Sequence, residues 1–455
     1  MSLTACARSA SSVLRVGAQN GTFWYCQTET PDSVHLLRES SPTTEDDHRE
    51  AVTNSVRESA YSTSARTLAE VLRHLVDIAE PAWKHPGDPV RRDEADEAKA
   101  RQDVSVRVHR EVLAMHRRAN RQVRLKSRPS GIPRAEHFEI VEAPVPALSD
   151  GQVLVRNIYL SVDPAMRGWV SAVANYSEPV ALGAVMRSLA VGRVEQTRNS
   201  GFHPGEYVTG MFGWQDYAAV DAKAIQRKVG GSGLPISTSL GVLGLNGLTA
   251  YFALLDIGQP KAGETVVVST AAGAVGSCAG QIAKIKGCRT VGIAGGPDKV
   301  RICREEFRYD SAMDYKAGDL EAALDVACPD GVDVYFDNTA GPISDSVMRR
   351  LTIGARVVIC GTASITSWDP PPEGPRVERH LLVKRARVQG FVIFDHVQRY
   401  PGALQELENW VRNGQIRYRE DILDGIEQAP GSIAELYRGK NLGKRLIRIA
   451  PEIPA

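Results

Sequence analysis

Between Glu264 and Ser277 the chain reads "ETVVVSTAAGAVGS". Four strand-favouring residues, Thr265 to Val268, run straight into small residues and two glycines three apart, Gly273 and Gly276. Small side chains at a strand-to-helix corner let the backbone come close to a ligand. The ligand such a corner suits is an anion, because the unpaired N–H groups and macrodipole at a helix N-terminus favour negative charge. Gly273 and Gly276 match the second and third glycines of G-x-G-x-x-G, with Ala271 in place of the first. Gly276 would also let the helix pack closely on the sheet. The spacing points to the pyrophosphate of a dinucleotide, and a plain tight turn in an α/β sheet is the alternative.

The end of the next strand decides which dinucleotide. NAD sites place Asp or Glu there to hold the ribose 2′-hydroxyl. Here the stretch reads "GIAGGPDKV", with Gly295 and Gly296 where the acid belongs and Lys299 at the start of the following helix. The helix dipole opposes a cation at that point unless an anion sits beside it. A 2′-phosphate supplies that anion, so NADP(H) is expected. Asp298 keeps NAD open, and a solvated surface lysine is the plain alternative.

Other chemistry is scarce. The seven cysteines (Cys6, Cys26, Cys278, Cys288, Cys303, Cys328 and Cys360) are odd in number, with no C-x-x-C pair. Neither a disulfide framework nor a cysteine zinc site is indicated, and a reducing, cytoplasmic setting is expected. His137, His203, His380 and His396 form no metal-binding pattern, so no metal is expected. A formal net charge of +1 makes no case for nucleic acid or an anionic membrane. No apolar run reaches the roughly 18 residues of a membrane helix. The first 28 residues lack acids and are rich in Ser and Ala, but Arg8 and Arg15 are too few for a transit peptide.

The elements that must position these residues follow from texture. Residues 1–118 are poor in apolar residues and are expected to form a low-order extension. Within it "RTLAEVLRHLVDIA", Arg66 to Ala79, has helical periodicity, and Pro81 and Pro86 would stop it. Short β-like runs punctuated by Gly and Pro then extend to about Ser237, indicating a compact β-rich domain. From about Leu240 strands alternate with helices: "TVVVS", "AVGSCAGQIAKIK", "RTVGIA", "VDVYF" and "ARVVIC". That alternation predicts a doubly wound parallel sheet. The last 50 residues hold one further helix and a final strand.

These residues resemble the zinc-independent medium-chain dehydrogenase/reductase family, in its branch of prostaglandin reductases, alkenal double-bond reductases and curcumin-reductase-like enzymes. The likeness runs from near Asn120 to the end. It rests on "NRQVRLKSRP" (120–129), "YLSVDPAMRGW" (159–169), "GLTAYFALLDIG" (247–258), "AAGAVGSCAGQIAKIKGCRTVGIAGG" (271–296), "DYKAGDL" (314–320), "VYFDNTAG" (334–341), "GFVIFDH" (390–396) and "GKNLGK" (439–444). It implies a GroES-like β-rich catalytic domain over 119–240, completed by 405–455, and a Rossmann domain over 241–404. It implies that Gly273, Ala274, Val275 and Gly276 hold the pyrophosphate, and that Lys299 and Tyr315 hold the 2′-phosphate end. Asn338 and Asn441 would contact the cofactor. The loop of Cys360, Gly361, Thr362, Ala363, Ser364, Ile365 and Thr366, with Phe391, Val392 and Ile393, would line the nicotinamide side. Thr249 would sit near the nicotinamide or serve a cap or core role. Several relatives have Tyr where Ala165 and Thr366 stand here; Tyr176 and Trp368 are candidates to supply aromatic surface instead.

The function implied is NADPH-dependent reduction of the carbon–carbon double bond of α,β-unsaturated aldehydes and ketones, with no metal. Hydride attack on the β-carbon leaves charge on the carbonyl oxygen, which hydroxyl donors can stabilise. No catalytic residue is singled out. The partner expected is a small enone or enal, and a homodimer is implied. An NADPH:quinone reductase is the nearest alternative. A non-catalytic NADPH-binding protein whose extension recruits a partner is the second, and a metal-dependent dehydrogenase the third.

Overall fold

The computed structural model describes the backbone of 12–19, 22–30 and 33–40, and residues 119–172, 176–231, 233–365, 370 and 372–452. The chain divides into two units, Met1–Arg118 and Ala119–Ala455. In the first, β1 (Ser12–Gln19), β2 (Thr22–Thr30) and β3 (Ser33–Ser40) form an antiparallel meander. No strand was expected before residue 119. The hint is "TFWYCQTET", rich in the aromatic and β-branched residues that favour a pleated surface. The periodic window Arg66 to Ala79 lies outside the described residues.

In the second unit β4 (Ala119–Leu125) and β5 (Phe138–Pro144) form an antiparallel pair. A seven-stranded sheet follows. Five of its strands are β6 (Gln152–Ser161), β7 (Ala190–Thr197), β8 (Tyr207–Gly210), β9 (Tyr217–Asp221) and β10 (Ile225–Val229), with a one-turn helix α1 (Met166–Trp169) after β6, and the other two come from the end of the chain. Its core joins Val153, Val155, Leu160 and Val194 to Ile426, Ile433 and Ile447 from the far end of the chain. The C-terminal segment is therefore a structural part of this domain.

The chain crosses to the second layer through α2 (Leu245–Phe252). There β11 (Thr265–Ser269) leads into α3 (Ala274–Ile285), and β12 (Arg289–Ala294) into α4 (Pro297–Glu305). After them come β13 (Ser311–Asp314), α5 (Leu320–Ala327), β14 (Val332–Asp337), α6 (Gly341–Met348), β15 (Leu351–Ile359), α7 (Glu378–Lys384) and β16 (Arg387–Gly390). All neighbours in this sheet are parallel, in the order β13-β12-β11-β14-β15-β16. Counted from β11 this is 3-2-1-4-5-6, the doubly wound order that binds a ligand where the winding reverses, between β11 and β14. Helices on both faces bury the sheet, which is why Val266, Val267 and Val268 are a continuous apolar run with no exposure.

Helix α8 (Tyr400–Arg412) buries Ala403, Leu407 and Trp410 in the same cluster as α2 and β11. The return to the seven-stranded sheet starts with β17 (Glu420–Asp424), passes through α9 (Ala429–Tyr437), and ends in β18 (Lys444–Arg448). The helix 400–412 thus packs on the parallel-sheet side, and the crossing back falls between Arg412 and Glu420 rather than at 405.

Candidate active site

The small-residue corner sits at the reversal point. Thr270 turns the chain with φ +54°, and the Gly273 N–H donates to Thr270 O at 2.9 Å. Gly273 caps α3, so the amides of Ala274, Val275 and Gly276 form its first turn and point out of it. A Cβ on Gly276 would meet Thr270 O at 2.2 Å, so no side chain fits there. The turn is braced from behind by Tyr309, whose buried hydroxyl donates to Gly276 O at 2.7 Å. Gly273 also pairs as an isolated parallel bridge with Gly443, just before β18. That bridge places Asn441, 7% exposed, close to the turn in the chain; its amide Nδ2 donates to Gly443 O at 2.8 Å.

Beyond β12 the chain opens at Gly295 and Gly296, the latter at φ +99°. A Cβ on Gly295 would lie 2.8 Å from the Tyr315 ring and 3.1 Å from Lys316 Cε. Asp314 organises the corner by accepting from the amides of Gly296 at 2.8 Å and Lys316 at 2.9 Å. Lys299 enters from α4, half-buried, and its ammonium would lie 3.5 Å from a Cβ added to Gly439. Burial first, and the Lys316 charge second, hold the Lys299 ammonium below the usual lysine value. Two cations that disfavour each other in a partly desolvated corner suit an anion between them. Asp298 does not oppose this, since its side chain is 79% exposed and faces Arg301 at 3.8 Å.

On the other side of the reversal point Asn338 spans the two central strands. Its N–H donates to Ser269 Oγ at 2.8 Å and its Nδ2 to Ser269 O at 2.7 Å. The buried carboxylate of Asp337 organises the loop: it accepts from the Thr339 and Ala340 amides, both at 2.9 Å, from Tyr335 Oη at 3.0 Å and from Ser344 Oγ at 2.6 Å. Ala340 holds φ +56°, unusual for a residue with a Cβ. The loop after β15 lies on this frame. Cys360 and Gly361 donate to Asp337 O, Ala363 to Asn338 O, and Ser364 to Thr339 O. Burial, and then the Asp337 charge, push the Cys360 thiol up to about 12. Thr362 lies in the same loop; Ile365 O accepts from the Arg167 guanidinium, which also lies 5.1 Å from the Tyr437 ring centre. Thr366 and Trp368 lie outside the described residues.

Phe391 follows β16, and its N–H donates to Ile359 O at 3.1 Å. Its ring stacks on His396 at 5.1 Å, and His396 stacks on Phe252 of α2 at 5.0 Å. Val392 begins the turn that follows, and Ile393 O accepts from Tyr400 Oη at 3.0 Å. Thr249 is half-buried on α2. Ala165 begins α1, and Tyr176, 53% exposed, lies against Trp169; burial and then the Asp163 charge raise its hydroxyl above the usual tyrosine value.

The structure therefore brings Gly273 to Gly276, Asn338, the loop from Cys360 and the Asn441 segment to the reversal point, with Lys299 and Tyr315 at the far end past Gly295. Sequence reasoning missed Lys316, Asp337, Arg167 and Tyr437. Lys316 and Asp337 each sit beside a residue that was singled out, so adjacency was the available signal. Among the described residues no group of three or more His, Cys, Asp or Glu is placed to hold a metal.

Comparison with known proteins identifies the family. Residues 121–228 match the N-terminal domain of oxidoreductase, and residues 274–409 the zinc-binding dehydrogenase domain. The chain is 43% identical over 343 residues to an NADPH-dependent curcumin reductase of Escherichia coli, covering 74% of this chain and 99% of that one. It is 36% identical over 340 residues to a 2-alkenal reductase (NADP+-dependent) of Nicotiana tabacum, covering 73% and 98%. The crystal structure of CurA in complex with NADPH from Vibrio vulnificus aligns with TM-score 0.70 at 42% identity, over 73% of this chain and all of that one. The chain belongs to the medium-chain dehydrogenase/reductase family, in the branch that holds the curcumin, 2-alkenal and prostaglandin reductases.

Proposed function

We propose that this protein is an NADPH-dependent reductase of the carbon–carbon double bond of α,β-unsaturated aldehydes and ketones. The observation that carries the reading is a pair of features past the ends of the neighbouring strands β11 and β12: a helix-capping turn too tight for any side chain at Gly276, and the half-buried Lys299 beside Lys316. The relatives' names supply the substrate class.

In this reading the first-turn amides from Ala274 to Gly276 hold the pyrophosphate, and Lys299, Lys316 and Tyr315 hold the 2′-phosphate. Asn338, the loop from Cys360 to Ile365, Phe391 to Ile393 and Asn441 fix the nicotinamide half, with Thr249 on the facing helix. Bound NADPH supplies the hydride that adds to the substrate β-carbon, and a solvent proton completes the α-carbon. The chain's share is orientation and exclusion of water. Tyr176, offered by the sequence as aromatic surface, is one described hydroxyl for the carbonyl oxygen, beside those of Thr249 and Thr362.

An NADPH-oxidation screen over 2-alkenals, cyclic enones, curcumin-like dienones and quinones tests the reading. Turnover is expected with the enones. Faster turnover of quinones would make the protein a quinone reductase, and NADPH binding without turnover would make it a non-catalytic binder.

The assembly we infer is a homodimer. Every residue of the edge strand β16 is exposed, beside the exposed apolar side chains Leu382, Val383, Phe394 and Val397, which leaves backbone groups able to pair with a second copy. Sedimentation of Val388→Lys should read monomer where the unaltered protein reads dimer. No helix among the described residues is long and apolar enough to cross a membrane. The described cysteines Cys278, Cys288, Cys303, Cys328 and Cys360 are all free thiols, which fits a reducing cytoplasm.

A further inference from the structure

One buried ion pair has no part in the contacts assigned above. Lys444, the first residue of β18, has a side chain 4% exposed. Its ammonium donates to Asp163 Oδ1 at 2.6 Å, Ser161 Oγ at 2.7 Å and Val162 O at 3.1 Å. Three protons meet three acceptors. Asp163 is shared further: Asn246 Nδ2 lies 3.5 Å from Oδ1, and Ser161 Oγ donates to Oδ2.

A buried ion pair is a poor source of stability, because the desolvation of both charges offsets their attraction. Its better-attested use is to select one register over others. Three strips of the groove converge on this pair. Gly443, adjacent to Lys444, bridges to Gly273 of the tight turn, and a Cβ on it would meet Arg419 O at 2.1 Å. Asn246 opens α2, three residues before Thr249. Pro164, adjacent to Asp163, accepts at its carbonyl from Tyr437 Oη at 2.9 Å, and Arg167 reaches the nicotinamide loop at Ile365.

We propose that Lys444 and Asp163 are positioning residues of the cofactor groove, whose ion pair sets the register of Asn441 to Gly443 against the glycine turn. The proposal rests on the reading that the Asn441 segment meets the cofactor. Displacing that segment weakens NADPH binding and leaves the chemical step nearly unaltered, since the donors and acceptors of the pair are taken up by Ser161, Val162 and Asn246.

The test compares Lys444→Met, Lys444→Met/Asp163→Asn, Ser161→Ala and Asn441→Ala, reading NADPH affinity by calorimetry, apo Tm, and KM against kcat. Lys444→Met strands a buried carboxylate and should lower Tm. The double variant removes that charge and should recover Tm, yet keep a Kd for NADPH about tenfold above the unaltered protein, with kcat at saturating NADPH within about threefold. Ser161→Ala is the mildest cut and should raise Kd about threefold even if the lysine variants fail to fold. An unchanged Kd in the double variant, or in Ser161→Ala where the double variant does not fold, overturns the proposal and leaves the pair a structural one. Asn441→Ala separates the two readings: if it alone weakens NADPH, the clamp is wrong and the groove reading survives; if it does not, the groove reading of that segment fails.

Discussion

In the proposed reading the lysine at position 299 carries the discrimination between cofactors. It is half-buried, its charge is disfavoured by burial and by Lys316, and Asp298 turns away to solvent. A 2′-phosphate relieves both costs, and a charge-assisted contact of this kind contributes about 1.5–3 kcal/mol. Lys299→Glu should therefore raise KM for NADPH at least about tenfold and leave KM for NADH unchanged or lower. Equal losses with both coenzymes would show that Lys299 serves only the fold. Lys299 stood out in the sequence because a lysine at a helix start is electrostatically out of place. Lys316 was signalled only by its place next to Tyr315; the fold is what carries it, two residues past β13, back over Gly295.

At the scale of the element, α3 lies on β11 as closely as its glycine permits. Gly276→Ala would drive a Cβ into Thr270 O. Overpacking costs about 1–3 kcal/mol, and the shift would also move the first-turn amides. Tm and NADPH affinity should fall together; a variant that lost Tm with full affinity would place the pyrophosphate elsewhere.

Strand β17 offers a second measurement. Burial raises the carboxyl of Glu420 above the usual value, and Ser237 Oγ donates to one of its oxygens at 2.8 Å. A carboxyl whose folded pKa lies above its unfolded one adds stability below the unfolded pKa and loses it as pH rises through the folded value. The Tm of Glu420→Gln minus that of the unaltered protein should thus be more positive at pH 8 than at pH 4. A difference independent of pH would mean that folding leaves the Glu420 carboxyl at its unfolded value, and would overturn the shift.

For the whole molecule, the first unit and the second pose separate questions. The relatives' own lengths are covered almost completely by about three quarters of this chain. A chain starting at Met115 should retain NADPH binding and enone turnover within about twofold, assayed beside the full chain. Loss of activity or of solubility would make residues 1–118 integral to the fold.

Local chemistry determined much of this protein before any contact was known. Periodicity announced the parallel strands, because a sheet covered on both faces needs unbroken apolar runs such as Val266 to Val268. The glycine spacing announced the turn, because steric exclusion at Gly276 acts over a few residues. Tertiary structure alone decided what depends on distant segments. The pairing of Gly273 with Gly443, the stack of Phe252, His396 and Phe391, and the ion pair of Lys444 with Asp163 join residues far apart in the chain. Neither residue type nor spacing encodes such meetings; they arise when strand order and packing bring the end of the chain back across its middle.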